Sequence, residues 1–163
     1  AENLLGEENR GIRVLMNGLD RERIIYSLTP IGVARGAFDV ALRYACERKQ
    51  FGSPIAAFQL IQELIADTAA EIQAGRMLSY WAATQADRGE DVRLAASYAK
   101  LFCSQVGIRA VDRCIQILGG YGYIKDFPLE RMYRDIKGIE FGAGTTQIQK
   151  LIIAGELIKG IMR

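Results

Sequence analysis

Residues 11–48 read GIRVLMNGLDRERIIYSLTPIGVARGAFDVALRYACER. The segment is rich in apolar residues and holds Leu15, Leu19, Ile24, Ile25 and Leu28. It continues at the spacing of an α-helix through Val33, Ala37, Val40, Ala41 and Tyr44. Pro30 interrupts the pattern, so Thr29-Pro30 could cap a restarted helix or mark a kink. We favour one long kinked helix over two shorter ones.

Three more amphipathic stretches and one short stretch follow this helix. They are predicted from about 56 to 87, from Asp91 as N-cap to Gly119, from about 128 to 136, and from Thr146 onward, with Gln149 completing a possible capping box. No stretch alternates convincingly as a strand does. The sequence therefore predicts an all-α fold, an antiparallel four-helix up-and-down bundle with an additional short helix.

Composition and charge narrow the classes of function. Half of the 163 residues are apolar and a quarter are charged, as in one ordinary globular domain. The net charge of +2 does not indicate nucleic-acid binding, and no apolar run is long enough to span a bilayer. Histidine is absent, and Cys46, Cys103 and Cys114 are scattered, which argues against a metal site. We predict buried thiols of a reducing compartment, the bacterial cytoplasm or the mitochondrial matrix.

Two polar regions could bind a nucleotide or phosphate. Gly144-Thr145-Thr146 opens the last helix, whose free N–H groups and positive dipole end suit phosphate. The alternative is that the glycines only supply tight turns. Arg48 and Gln59, near Gln50, Phe51 and Gly52, could grip a nucleotide at the turn between the first two helices. The alternative is the polarity common to most helix turns.

A run of charge, Asp20-Arg21-Glu22-Arg23, lies on the long helix. Such a run is usually a solvated face, and by itself it gives Glu22 little claim to a catalytic role.

Together these stretches resemble the acyl-CoA dehydrogenases, most closely the isovaleryl-CoA dehydrogenase branch of that family. Four motifs carry the resemblance, in the family's order along nearly the whole chain: ENLLGE at 2–7, RKQFG at 48–52 with Pro54, Ile55 and Gln59, QILGGYGY at 116–123, and GTTQIQ at 144–149. The resemblance implies that residues 1–10 end a preceding β-domain or linker. Residues 11–163 would form the family's carboxy-terminal helical bundle.

The resemblance also implies FAD as cofactor and an acyl-CoA thioester as substrate. Arg48 and Gln59 would bind the FAD of a partner subunit. The adenine-side half of that FAD would meet Gln116, Ile117, Leu118, Gly119 and Gly120, and the subunit's own FAD would meet Thr145, Thr146 and Gln147. Substrate contacts would come from Arg13, Asp20, Arg21, Arg23, Ala143 and Gly144, with Asp20 and Arg23 at the CoA portion. Arg13 departs from the tyrosine of the isovaleryl-CoA branch.

The catalytic base follows from two linked departures within the family. Most members place a glutamate before the glycine that opens the last helix, but Ala143 stands there in this chain. The isovaleryl-CoA branch takes its glutamate from a Leu-Asp-x-Glu-Arg pattern on the first bundle helix. Residues 19–23 match that pattern, so the resemblance makes Glu22 the base. Gly142 replaces a tyrosine common elsewhere in the family, which we expect to leave room for branched or bulky acyl groups.

The implied reaction is α,β-dehydrogenation of a short or branched acyl-CoA, with hydride transfer to the flavin. The family also implies a homotetramer built as a dimer of dimers, and an electron-transferring flavoprotein as acceptor. The isolated domain is expected to be inactive. Alternatives are a relative acting on a cyclic or dicarboxylic thioester, a flavin-using oxidase that releases hydrogen peroxide, and a non-catalytic oligomerisation bundle.

Overall fold

The computed structural model describes residues 3–162. Residues 1 and 2 of the predicted segment 1–10 and residue 163 of the predicted bundle 11–163 lie outside that range. In chain order, the elements of the described part are α1 (Gly11–Glu47), β1 (Lys49–Gln50), β2 (Ser53–Pro54), a 3₁₀ turn (Ile55–Ala57), α2 (Gln59–Asp87), α3 (Arg93–Leu118), α4 (Gly120–Tyr123), α5 (Leu129–Ile139) and α6 (Thr146–Ile161). The predicted all-α bundle is confirmed. Residues 3–10 contain no strand, and their assignment to a preceding domain stays a prediction.

Helix α3 lies at the centre of the bundle and packs against α1, α2, α4, α5 and α6. Its buried face is rich in small residues, including Ala96, Ala99, Gly107 and Ala110. Small side chains let neighbouring helices approach closely, and the larger side chains of α1 and α5 fill the remaining space. Residues 48–58 connect α1 to α2 and residues 88–92 connect α2 to α3, whereas residues 119–145, which include α4 and α5, separate α3 from α6.

Pro30 does not interrupt α1, which is continuous from Gly11 to Glu47. A proline inside a helix has no N–H to donate to the carbonyl four residues earlier, here that of Tyr26. Pro30 is buried against α3, where Gly107 leaves space for it: a Cβ at Gly107 would lie 2.7 Å from Pro30 Cβ and 2.6 Å from Ile136 Cδ1. The proline is therefore accommodated by packing across the helix pair.

A small polar cluster joins the three longest helices inside the core. Ser79 Oγ lies 2.8 Å from Ser27 Oγ and 3.3 Å from Cys103 Sγ, and it donates to the Gly75 carbonyl at 3.0 Å. Buried polar groups that satisfy one another in this way fix the register of α1, α2 and α3.

The cysteines depart from the sequence prediction at one position. Cys103 and Cys114 are buried, as predicted, but Cys46 is exposed. Cys46 lies in the last turn of α1 beside Ala45, which is fully buried, and so points away from the core.

Three local features also differ from the sequence prediction. Residues 49–54 form a hairpin whose two-residue strands are too short to show alternation, and Phe51 and Gly52 both have positive φ, as its tight turn requires. The following 3₁₀ turn delays the start of α2 to Gln59. The N-cap of α6 is Thr145, whose hydroxyl accepts from Ile148 N at 3.3 Å, so the predicted capping box at Thr146 and Gln149 is wrong.

Two surfaces of this chain leave large apolar side chains exposed. The first three turns of α1 extend beyond the other helices, with Ile12 61% and Leu15 55% exposed. On α6, Leu151, Ile158 and Ile161 are more than half exposed. Exposed apolar area on this scale is typical of interaction surfaces. Within residues 3–162, no helix is long and apolar enough to cross a membrane.

Candidate active site

A buried arginine connects α1 to the turn before α6. Arg23 is 3% exposed, its Nε donates to the Ala143 carbonyl at 3.0 Å, and its Nη1 pairs with Asp20 Oδ1 at 2.6 Å. The hydrogen bond to Ala143 joins residues 120 positions apart in sequence, and the pairing with Asp20 lies within α1. They bring the predicted base region of α1 against Gly142–Thr145, which we call the 142–145 turn.

The 142–145 turn has a constrained backbone that a second buried side chain supports. Ala143 and Gly144 both adopt positive φ, 53° and 96°, and this region is uncommon for a non-glycine residue. Gln149 is fully buried, and its Nε2 donates to the carbonyls of Gly144 at 3.1 Å and Ala143 at 3.4 Å. A Cβ at Gly144 would lie 2.8 Å from Gln149 Nε2, so glycine is needed there. Arg23 and Gln149 together fix the orientation of the Ala143 peptide.

Tyr26 occupies the space beside Gly142. A Cβ at Gly142 would overlap the Tyr26 hydroxyl oxygen and would lie 2.6 Å from Tyr26 Cζ. The missing side chain at Gly142 therefore leaves no empty volume on its Cβ side, contrary to the expectation from sequence. The Tyr26 side chain fills the space that a side chain at Gly142 would take.

Lys100 of α3 contacts the end of α5, just before the 142–145 turn. It is 1% exposed, and its Nζ donates to the carbonyls of Ile139 at 3.1 Å and Glu140 at 3.0 Å. These carbonyls end α5, where the helix dipole is negative and favours a cation. Nζ also lies 5.8 Å from the centroid of the Tyr26 ring. Burial lowers the pKa of the Lys100 ammonium, which the nearby Glu140 charge partly opposes.

Glu22 lies in an apolar groove on the exposed part of α1. The cavity there measures about 670 Å³ and is lined by Leu5, Gly11, Val14, Leu15, Gly18 and Leu19 as well as Glu22. Although arginines flank it in sequence, Glu22 forms no salt bridge with any residue between 3 and 162, because Arg23 pairs with Asp20 instead. Its carboxylate is thus available at an apolar surface, one residue before Arg23.

Asp20 and Arg21 line a separate polar cavity of about 580 Å³ with the loop between α2 and α3. Glu90 and Asp91 contribute two further carboxylates to it. Arg13 is exposed on α1. It lies ten residues before Arg23, about 15 Å along the helix axis, and outside the contacts that hold the 142–145 turn.

A second candidate binding region forms at the other end of α1. Arg48, Gln116, Gly119, Gly120 and Tyr121 line a cavity of about 540 Å³ with Tyr44, Gln50, Ile55, Ile117, Leu118 and Ile124. We call it the Arg48 cavity. Ile117 and Leu118 have side chains that belong to the core, at 4% and 3% exposed. Gln59, exposed at the start of α2, does not line this cavity.

The first turn of α6 supplies the remaining predicted cofactor contacts. Thr145 uses its hydroxyl as the N-cap, and Thr146 is 4% exposed. The Thr146 hydroxyl donates to Gln147 Oε1 at 3.2 Å, and Gln147 itself is exposed. In the described part of the chain, no group of three His, Cys, Asp or Glu side chains is arranged to hold a metal ion.

Comparison with known proteins assigns the chain to a protein family. A sequence model of the acyl-CoA dehydrogenase C-terminal domain matches residues 9–158, nearly the whole chain. The chain belongs to the acyl-CoA dehydrogenase family. The resemblance drawn from its four motifs is confirmed, including the presence of isovaleryl-CoA dehydrogenase among the relatives of this acyl-CoA dehydrogenase domain.

Sequence and structure relatives agree on this assignment. The domain is 45% identical to cyclohexane-1-carbonyl-CoA dehydrogenase of Geobacter metallireducens, covering 98% of this chain and 42% of that protein. It is 42% identical to mitochondrial isovaleryl-CoA dehydrogenase of Oryza sativa, covering 97% and 39%. The butyryl-CoA dehydrogenase structure from Megasphaera elsdenii matches with a TM-score of 0.95 at 37% identity, covering 97% and 41%. The acyl-CoA dehydrogenase domain thus spans about two fifths of these relatives.

Sequence reasoning missed three residues that shape the site: Tyr26, Lys100 and Gln149. For Lys100 a signal existed, since a lysine stands among the small and apolar residues of AASYAKLFCS at 95–104. Gln149 belongs to the motif at 144–149 but was interpreted there as a capping residue, and Tyr26 gave no signal that distinguishes it from ordinary helix residues.

Proposed function

We propose that this chain is the domain of an FAD-dependent acyl-CoA dehydrogenase that supplies the catalytic base, Glu22. The reaction is α,β-dehydrogenation of an acyl-CoA thioester. The observation that carries the proposal is the placement of Glu22, whose carboxylate forms no ion pair within residues 3–162, next to Arg23, which is hydrogen-bonded to Ala143. Ala143 holds the position where most of the family has its base, and it cannot accept a proton.

Glu22 removes a proton from the carbon next to the thioester carbonyl. Its groove is mostly apolar, which suits an acyl chain, and neighbouring arginines do not neutralise its charge. A carboxylate paired with arginine would be a weaker proton acceptor, because the ion pair stabilises its charged form. The pairing of Arg23 with Asp20 therefore keeps Glu22 free to act as a general base.

The α-proton is only weakly acidic, so the thioester carbonyl needs a hydrogen-bond donor that stabilises developing negative charge. The Ala143 N–H is the donor that we assign. This N–H belongs to the peptide bond between Gly142 and Ala143, and its direction is set by the left-handed backbone of Ala143. The Ala143 carbonyl, in the next peptide bond, accepts from Arg23 and Gln149. A donor fixed in this way needs little reorganisation when charge develops, which is the condition for efficient electrostatic catalysis.

The residues of this chain fit FAD at two places. The Arg48 cavity offers a guanidinium, the Gln116 amide, an aromatic ring at Tyr121, and open backbone at Gly119 and Gly120, where an added Cβ would meet no atom within 4 Å. Arg48, Gln116 and this backbone would hold a partner subunit's FAD, and Gln59 would contact the same FAD from outside this cavity. Thr145, Thr146 and Gln147 would contact the subunit's own FAD. When bound, FAD accepts the hydride that leaves the β-carbon.

The CoA portion of the substrate would meet the polar cavity beside Asp20 and Arg21. Asp20, Glu90 and Asp91 outnumber Arg21 in this cavity. This charge balance suits the amide, amine and hydroxyl donors of CoA better than its phosphates. Arg23 would contact CoA while it keeps its hydrogen bonds to Asp20 and the Ala143 carbonyl. Arg13 would contact the substrate nearer the N-terminus of α1.

The complete enzyme would add the parts that this chain does not cover. Its relatives are more than twice as long, and α1 and α6 expose apolar faces that other domains or subunits would cover. We propose a tetramer built as a dimer of dimers, with an electron-transferring flavoprotein as acceptor, in the bacterial cytoplasm or the mitochondrial matrix. The isolated domain would be inactive, because its flavin sites would be incomplete.

The test uses the complete enzyme with Glu22 replaced by Gln. Glu22→Gln keeps the shape of the side chain but removes its basicity, so flavin reduction by acyl-CoA should slow by roughly 10²–10⁴-fold, the usual contribution of a general base. FAD content, measured from the visible spectrum, should not change. Glu63→Gln, an exposed change on α2, is the matched control and should reduce at the wild-type rate. Wild-type turnover in Glu22→Gln would refute the assignment of the base.

A further inference from the structure

Tyr26 is a neighbour of both the proposed base and the residue next to the proposed carbonyl donor. Tyr26 follows Glu22 by four residues on α1, so their side chains are neighbours on one helix face. The phenol end of the ring reaches Gly142, which precedes Ala143, the residue of the donor N–H. An acyl group that presents its α-carbon to Glu22 and its carbonyl oxygen to Ala143 must therefore pass beside Tyr26.

The position of this ring is supported on both sides. Gly142 gives it space, since even a methyl group there would overlap the hydroxyl oxygen and lie 2.6 Å from Cζ. Lys100 Nζ lies 5.8 Å from the ring centroid and is itself held by the carbonyls of Ile139 and Glu140. A cation over an aromatic face is attractive, and this one is fixed by two hydrogen bonds. The ring is thus a fixed wall of the site.

We propose that Tyr26 determines specificity by limiting the width of the acyl site. The proposal rests on the proposed function and names its substrate class. Straight-chain and flat unsaturated acyl groups fit along the ring, whereas acyl groups branched or cyclic next to the reacting carbons meet it. The glycine at 142 does not widen the site, because Tyr26 fills the volume that a larger residue at that position would take.

The experiment compares acyl-CoA thioesters in the complete enzyme before and after Tyr26→Ala. Anaerobic flavin reduction is followed with butyryl-CoA, isovaleryl-CoA and cyclohexane-1-carbonyl-CoA, and kcat/KM is measured with an artificial electron acceptor. The ratio of kcat/KM for the branched or cyclic thioester over butyryl-CoA should rise at least tenfold, since one or two methylene groups change discrimination by about 10–200-fold. Tyr26→Phe keeps the ring and should change the ratio far less.

Two further variants make the test specific. Tyr26→Leu is smaller than Tyr26 but keeps apolar contact, and it should shift the ratio in the same direction if Tyr26→Ala folds poorly. Tyr80→Ala removes a tyrosine from α2 that is 51% exposed and should leave the ratio unchanged.

The outcomes separate this proposal from the proposed function. If the Tyr26 variants reduce flavin with butyryl-CoA but keep the wild-type ratio, the specificity proposal is overturned and the acyl-CoA dehydrogenase function stands. If no thioester reduces the flavin of the wild-type enzyme, the proposed function fails and the specificity proposal falls with it. A separate stability measurement checks the contact. Gly142→Ala should destabilise the wild type and cost much less in the Tyr26→Ala background, and additive effects would show that the contact is absent.

Discussion

Replacing Arg23 with Met should expose the energetic role of the buried link between α1 and the 142–145 turn. The change removes a guanidinium whose side chain is 4% exposed and leaves Asp20, 15% exposed, without its partner at 2.6 Å. Breaking a buried ion pair from one side costs about 3–5 kcal/mol, because the remaining charge stays poorly solvated. The Ala143 carbonyl keeps only the longer hydrogen bond from Gln149, at 3.4 Å. We expect the free energy of unfolding to fall by roughly that amount.

Urea unfolding of the 163-residue chain, followed by circular dichroism, measures this change. The control is the double variant Asp20→Asn with Arg23→Met. It should recover a large part of the loss, since neither member of the pair is then left as an isolated charge. A single variant within about 0.5 kcal/mol of wild type, the range of ordinary surface substitutions, would show that the link contributes little.

The same variant distinguishes two functions for Arg23 in the complete enzyme. If Arg23 positions the Ala143 N–H, Arg23→Met should slow the chemical step with little change in acyl-CoA binding. Loss of one such donor costs about 10²–10³-fold in rate, which sets the upper limit for a donor that is only displaced. Rapid-reaction flavin reduction at several acyl-CoA concentrations gives the rate and the dissociation constant separately. A change confined to the dissociation constant would instead assign Arg23 to the CoA portion.

Two further predictions concern packing and thiol chemistry. Gly107→Ala should lower the free energy of unfolding by about 1–3 kcal/mol through overpacking. Gly32→Ala, where no atom lies within 4 Å of the added methyl group, should raise it by about 0.5–1 kcal/mol. Equal effects of the two changes in urea unfolding would contradict this packing. Ellman's reagent should react with Cys46 in the native chain, and with Cys103 and Cys114 only after unfolding. Burial protects these two thiols and raises their pKa to about 11 and about 12 respectively. Reaction of all three cysteines in the native chain would refute the burial.

The sequence was informative where structure depends on local spacing. The apolar repeat of α1 correctly predicted a helix through Pro30. The N-cap of α3 was predicted one residue too early, at Asp91 instead of Val92, although Asp91 Oδ1 accepts from Arg93 N at 3.0 Å. The proposal that Glu22 is the base rests on two departures, at Ala143 and Glu22, that both fall within recognisable motifs, and it stays a prediction. The helix prediction needed only neighbours along the chain, whereas the proposal for Glu22 needed two motifs in distant parts of the sequence.

Contacts between distant segments were beyond such reasoning. Nothing in the residues around Tyr26 indicates that its hydroxyl meets Gly142, more than a hundred positions away, and the expected space beside Gly142 was therefore wrong. The burial of Arg23 likewise depends on the Ala143 carbonyl, and a charge run predicts solvent exposure when its partner is unknown. The hairpin at 49–54 was missed because two-residue strands carry no periodicity.

Lys100 has a chemical consequence beyond packing. A thioester can acylate a neutral amine, and the proposed acyl-CoA substrate would bring this reagent to the protein surface. Burial lowers the pKa of Lys100, which increases the fraction present as a nucleophilic amine. Yet Lys100 is 1% exposed and its Nζ is occupied by the carbonyls of Ile139 and Glu140. The end of α5 would therefore shield this amine from acylation by the proposed substrate, whereas solvent-facing lysines such as Lys137 and Lys159 would have no such protection.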